Sequence, residues 1–135
     1  MRTFEFRARV YYSDTDAEGI IYHTKYLDFA EHARTEMLRE AFPDKSQYEL
    51  AQGDGGIIIV IRSMNIEFRS AGHLDDELTV YTQMVDMQHF SCTFEQKIMR
   101  GDTVLCEIKV KAAFLSAATR RPTPIPEYIR KAMEG

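Results

Sequence analysis

The 135-residue chain, 44% hydrophobic and 28% charged with a formal charge of −4, is long enough for one domain with a substantial buried core. Its acidic and basic residues are interspersed without a basic stripe, which argues against a nucleic-acid partner, and its longest apolar run, Ile57 to Ile61, is far too short for a membrane span. Two cysteines are too few for a disulfide framework, and the opening Met1 to Arg7 carries charges where a secretory leader is apolar, so the cytoplasm is the expected compartment.

Phe4, Phe6, Ala8, Val10 and Tyr12 alternate with polar residues and predict a first strand. Asp14-Thr15-Asp16-Ala17-Glu18-Gly19 ends it, because Asp and Gly favour turns, and Gly19 is the expected bend. Thr24 then serves as N-cap of a helix of about 17 residues, ending near Ala41 before Pro43. Tyr26, Ala30, Ala33, Met37 and Ala41 fall on one face, broadened by Leu27 and Leu38.

Residues 44–56 read as a loop with a short helical turn near Gln47 to Gln52, closing in Gly53-Asp54-Gly55-Gly56. Four strands follow. Ile57 to Arg69 is apolar on both faces in its first half and alternates in its second. Glu77 to Met87 comes next, then Gln88 to Met99 with Phe90, Cys92, Phe94 and Ile98 on one side. After the turn at Arg100-Gly101-Asp102, the last strand points Val104, Cys106, Ile108, Val110, Ala112 and Phe114 one way. Both cysteines therefore read as core thiols. A proline-rich tail, Thr119 to Pro126, leads to a short helix from Glu127 to Met133. One long helix and about five strands make an α+β domain over residues 1–135. A single helix covers only one face of such a sheet, so the doubly apolar start of the second strand is expected to pair with its copy in a homodimer.

Tyr12-Ser13-Asp14-Thr15-Asp16-Ala17-Glu18-Gly19-Ile20-Ile21-Tyr22-His23-Thr24-Lys25-Tyr26, with Phe29 and Arg34-Thr35-Glu36-Met37, resembles the opening of the hotdog-fold acyl-CoA thioesterases. It is most similar to the branch of 4-hydroxybenzoyl-CoA thioesterase and the YbgC type. Ile61-Arg62-Ser63-Met64, Leu74-Asp75-Asp76-Glu77-Leu78 and Thr119 to Pro126 extend the likeness over nearly the whole chain. The resemblance implies a curved five-stranded antiparallel sheet around one central helix, and two protomers joined edge to edge, a dimer or tetramer. It also implies hydrolysis of an acyl-CoA, or of an acyl-carrier-protein thioester, at the subunit interface.

Within that resemblance Asp16 matches the family's nucleophile or general base, and His23 matches the position whose backbone N–H polarises the thioester carbonyl. A carboxylate ionised at neutral pH suits either role, and helix N-terminal N–H groups favour developing negative charge. Without the resemblance, Asp16 reads as a turn cap and His23 as ordinary packing. Asp14 reads as structural, bonding nearby N–H groups. Tyr12, Gly19 and Tyr22 are candidates to line the site, although both tyrosines fit a core equally well. The acyl group is expected between the central helix and a second protomer's strand, at Ile58, Val60 and Met64. Arg62, Arg69, Arg120 and Arg121 are candidates for coenzyme A phosphates. No cofactor is expected beyond the coenzyme A of the substrate. A metal site is not expected either, since the histidines show no ligand spacing. A hotdog dehydratase or hydratase, and a non-catalytic acyl-binding scaffold, are the competing readings.

Overall fold

A computed structural model describes residues 1–53 and 55–135. Asp54, inside the expected glycine-rich loop end, lies outside the described residues. Chain order gives β1 (Phe4–Arg9), a 3-10 turn (Tyr12–Asp14), α1 (Lys25–Ala41), α2 (Gln47–Leu50), β2 (Ile57–Phe68), β3 (Glu77–Val85), β4 (Ser91–Arg100), β5 (Thr103–Ser116) and α3 (Glu127–Glu134). The five strands form one antiparallel sheet in the order β1-β3-β4-β5-β2.

Strand alternation accounts for the two faces of the sheet. Leu78, Val80, Thr82 and Met84 of β3, Cys92, Phe94, Gln96 and Ile98 of β4, and Cys106, Ile108, Val110, Ala112 and Phe114 of β5 are all buried on the helix side. α1 contributes Tyr26, Phe29, Ala30, Ala33, Met37 and Leu38 to the same core, the face its periodicity predicts. Its length and both ends agree with the sequence reading, with Thr24 at the N-cap position, although Thr24 is itself helical in backbone and its side chain accepts no capping bond. At the C-terminal end, α3 seals the core with Ile129 and Met133.

Two further expectations are corrected. Tyr12 is not the last inward residue of β1; it opens the 3-10 turn and is 80% exposed, because Asp14 turns the chain when its carboxylate accepts the Tyr11 N–H at 2.9 Å. Phe90 lies outside β4 and is exposed, since β4 begins only at Ser91.

The apolar pattern of β2 is continuous in space although it breaks step in sequence. Ile57, Ile59 and Ile61 oppose Ser116, Phe114 and Ala112, and Met64, Ile66 and Phe68 oppose Val110, Ile108 and Cys106. All six share the helix side because a bulge between Ile61 and Ser63 absorbs Arg62 as an extra residue. α1, however, packs mainly on β1, β3 and β4, and β2 is an edge strand. Of its inward apolar residues, Ile57, Ile59 and Ile66 are partly buried against the core, whereas Ile61 and Phe68 are left open at 41% and 54% exposure.

Among the described residues, the buried polar pair Gln96 and Thr82 is fully bonded. Gln96 donates to the Ala30 carbonyl and to Thr82 Oγ1, each at 2.9 Å, and accepts from Arg34 Nη1 at 2.9 Å, so burying these groups leaves none unpaired. Burial pushes the Cys92 and Cys106 thiols up to about 12, far from the thiolate form needed for reaction at neutral pH. At pH 8 a disulfide-exchange thiol reagent is therefore expected to label neither cysteine in the native protein and both in denaturant; rapid stoichiometric labelling of the native protein would contradict the buried placement.

Candidate active site

The segment between β1 and α1 folds back on itself as a small hairpin. Thr15 bridges Ile21, the Tyr22 N–H donates to the Asp14 carbonyl at 2.9 Å, and the Asp16 N–H donates to the Ile20 carbonyl at 2.9 Å. At its tip the Gly19 N–H closes on the Asp16 carbonyl at 3.1 Å, and Gly19 takes φ +78°, the left-handed region in which glycine is unstrained. Gly19 is thus the bend residue that the sequence predicts, and the Asp14 carboxylate ties the loop through the Tyr11 N–H.

Asp16 stands at this tip. Its Oδ1 accepts the Glu18 N–H at 2.8 Å, and the residue is exposed with no ion pair among the described residues. The carboxylate thus makes the turn-capping bond that the bland reading requires. A carboxylate with about four lone-pair sites retains acceptor capacity after one such bond.

The returning arm delivers the chain into α1. The Lys25 N–H donates to the Tyr22 carbonyl at 2.8 Å and the Leu27 N–H to the Thr24 carbonyl at 3.1 Å, so helical bonding starts over Tyr22. His23 precedes the helix with an exposed ring 4.6 Å from that of Tyr22. Among the described residues the His23 N–H has no hydrogen-bond partner, as befits the orphan donors of a helix start. Tyr12 and Tyr22 are both exposed, at 80% and 47%, so neither is a core aromatic.

A separate cleft of about 320 Å³ opens between α1, α2 and β2. Leu38, Leu50, Ile57, Ile58, Ile59 and Ile61 supply most of its wall, and Arg34 places a cation in it. Burial lowers the pKa of the Arg34 guanidinium and the neighbouring Glu31 charge opposes the shift. Of the predicted substrate-binding residues only Ile58 lines this cleft, and none of the hairpin residues does. Arg62 is exposed at the β2 bulge. Arg69 is ion-paired with Glu107 at 2.8 Å and lines a polar hollow with Lys97 and Lys109. Arg120 sits exposed in the turn after β5 with φ +62°. A single chain does not bring these arginines together. Among the described residues no group of three His, Cys, Asp or Glu side chains could hold a metal ion.

Asp75-Asp76-Glu77, part of the stretch that carries the family likeness, leads into β3. In the structure Asp76 Oδ2 accepts the His73 N–H at 2.8 Å and Arg100 Nη1 at 2.9 Å. Partial burial pushes the Asp76 carboxyl up, but the bonds from Arg100 and His73, with their positive charge, outweigh it and hold the pKa below its ordinary value. Arg100 opens the hairpin turn between β4 and β5 in sequence, and nothing in the pattern tied it to Asp76.

A curved antiparallel sheet holding one long helix, with a polar hairpin leading into that helix, defines the hotdog class. The family model of the thioesterase-like superfamily matches residues 10–133, and the chain belongs to this superfamily. It is 36% identical over 130 residues to the acyl-CoA thioesterase YbgC of Haemophilus influenzae, covering 96% of this chain and 93% of that one. It is 35% identical over 127 residues to the acyl-CoA thioester hydrolase YbgC of Escherichia coli, covering 93% and 92%. Among solved structures, a probable thioesterase from Bartonella henselae superposes with a TM-score of 0.83 at 34% identity, covering 93% of this chain and all of that one.

The Asp76 carboxyl has a testable consequence for stability. A folded pKa below the ordinary 3.8 stabilises the native state above the unfolded pKa, and that stabilisation is lost as pH falls through the folded value. Denaturant midpoints should therefore favour the native protein over Asp76→Asn at pH 6, with the difference shrinking below about pH 4. An equal difference at pH 3 and pH 6 would contradict it.

Proposed function

We propose that this protein hydrolyses the thioester of an acyl-CoA, or of an acyl-carrier-protein conjugate, to the free acid and thiol. The reading is carried by one observation: an exposed carboxylate, free of any ion pair among the described residues, stands on a tight hairpin that runs directly into the long helix. The names of the relatives in H. influenzae and E. coli point to the same activity.

In this mechanism the thioester carbonyl sits at the start of α1, where the His23 N–H and the helix dipole stabilise the oxygen as it gains charge. One such donor contributes about 3 kcal/mol in comparable oxyanion sites. In one route Asp16 attacks the carbonyl carbon and the C–S bond breaks, leaving an acyl–aspartyl anhydride and a thiolate that takes a proton from water. A second water then hydrolyses the anhydride to the free acid and the regenerated carboxylate. In the other, Asp16 takes a proton from a water that attacks the carbonyl carbon, the C–S bond breaks, and the proton passes to the departing thiolate. The His23 ring orients water or substrate, and Tyr12, Gly19 and Tyr22 shape the approach. No cofactor or metal takes part in either route.

The acyl chain lies against β2 near Met64 and the cleft residue Ile58, within a homodimer or homotetramer built on the β2 edge. Val60, opposite Ala113, falls on the other face of the sheet from Met64 because of the bulge and does not share that wall. The support is energetic: Ile61, Met64 and Phe68 are exposed on an unpaired strand edge, and burial of apolar surface is worth about 25 cal/mol per Å². Arg62, Arg69, Arg120 and Arg121 remain the candidates for the coenzyme A phosphates, each placed by assembly of a second protomer.

Two outcomes are expected. Asp16→Asn lowers the turnover of thiol release by at least about 10²-fold without loss of the fold, measured across short, long and aromatic acyl-CoAs and acyl-carrier-protein substrates. Unchanged release would remove Asp16 from the chemistry. Met64→Lys should shift the sedimenting species towards the single chain, because a charge placed on an apolar strand edge opposes pairing; an unshifted oligomer would place the interface elsewhere.

A further inference from the structure

Two parts of the candidate site, the Asp16 hairpin and the first turn of α1, are fastened to the same strip of backbone. On the hairpin side, the Ile21 N–H donates to the Gly72 carbonyl at 2.9 Å, the Leu74 N–H donates to the Gly19 carbonyl at 3.0 Å, and Ile20 bridges His73. On the helix side, the Gly72 N–H donates to the buried Tyr26 hydroxyl at 3.1 Å. The contact is close enough that a Cβ on Gly72 would overlap the Ile21 side chain. Residues 72–74 therefore set where the Asp16 turn stands relative to the helix start.

That strip has little regular structure of its own, being a loop between β2 and β3. Asp76 and Arg100 give it its shape. Asp76 Oδ2 receives the His73 N–H and Arg100 Nη1, and the same Arg100 nitrogen reaches the Ala71 carbonyl at 3.1 Å and lies 3.3 Å from His73 Nδ1. The Asp76 carbonyl accepts the Val10 N–H at 2.9 Å and the Asp75 N–H donates to the Val10 carbonyl at 3.0 Å, so the end of the hairpin's incoming arm is pinned as well. Asp75 adopts φ +73° to close this turn. The ion pair is only part-buried, with side-chain exposures of 33% for Arg100 and 20% for Asp76.

We propose that Asp76, clamped by Arg100, is a positioning residue for thioester hydrolysis, fixing through residues 71–74 the register between the Asp16 hairpin and the start of α1. This rests on the reading of Asp16 as the group that drives the reaction. Neither residue touches substrate; their effect travels through the backbone bonds named above. A small shift of an attacking group relative to an oxyanion donor is costly, since alignment of reacting groups supplies a large share of catalysis.

The test uses the full-length protein and release of coenzyme A thiol. Asp76→Asn is expected to lower kcat by about 10-fold or more while KM stays within about 3-fold, because alignment in the transition state is lost rather than substrate binding. Placed on Asp16→Asn, it should slow the residual reaction no further, since an attacking group that is absent cannot be misaligned. Arg100→Gln, which leaves the His73 bond to Asp76 intact, should lower kcat by at least about 3-fold with the same non-additivity, and it decides the matter should Asp76→Asn fail to fold. A wild-type kcat in both single variants beside a slow Asp16→Asn overturns this inference alone. So does a loss that multiplies in the double variants, which marks a general structural role. Full turnover by Asp16→Asn overturns the Asp16 reading and this inference together.

Discussion

One helix lying across part of a five-stranded sheet is the constraint from which the rest of this molecule follows. α1 packs its apolar stripe mainly on β1, β3 and β4, and a helix about 10 Å wide spans only about two of the 4.8 Å spacings between strands. β2, at the far edge, keeps its inward apolar residues only partly covered, with Phe68 against Tyr26 of α1. The open strip along α1 and β2 and the cleft lined by Leu38, Leu50 and Ile57 to Ile61 are both products of that geometry. The polar site is displaced to the helix start, where the hairpin enters.

The strand and helix order was legible because burial is one-sided in most of these elements. Period two marks β3, β4 and β5, and period 3.6 marks α1, so apolar positions alone locate the core. Gln96 shows both the power and the limit of such reading. Parity places it among Cys92, Phe94 and Ile98, on the buried side, and there it is found. Its partners Thr82, Ala30 and Arg34 come from two other elements, and no spacing in the sequence connects them. The same holds for Asp76 and Arg100, which lie 24 residues apart and meet only because β3 and β4 are paired.

The hairpin was legible for a different reason. Asp14 and Gly19 have local functions, one capping backbone N–H groups and the other supplying a positive φ, and local functions leave local signatures. Tyr12 was misread because alternation continues through it while the chain has already turned. A shared site for the arginines was not legible, since Arg62, Arg69 and Arg120 occupy separate stretches of the surface of one chain.

The bulge at Arg62 bears on how this chain avoids uncontrolled self-association. An unbroken edge of twelve residues rich in Ile and Val would be a template on which further strands could add without limit. An extra residue near its middle changes the local twist and halts the regular ladder of donors and acceptors, so a flat incoming strand matches only one half of the edge at a time. It also exposes a charged side chain at the point where fibrillar stacking would need a flat apolar one. The bulge that keeps Met64, Ile66 and Phe68 facing inward thereby also guards the chain against amyloid-like growth.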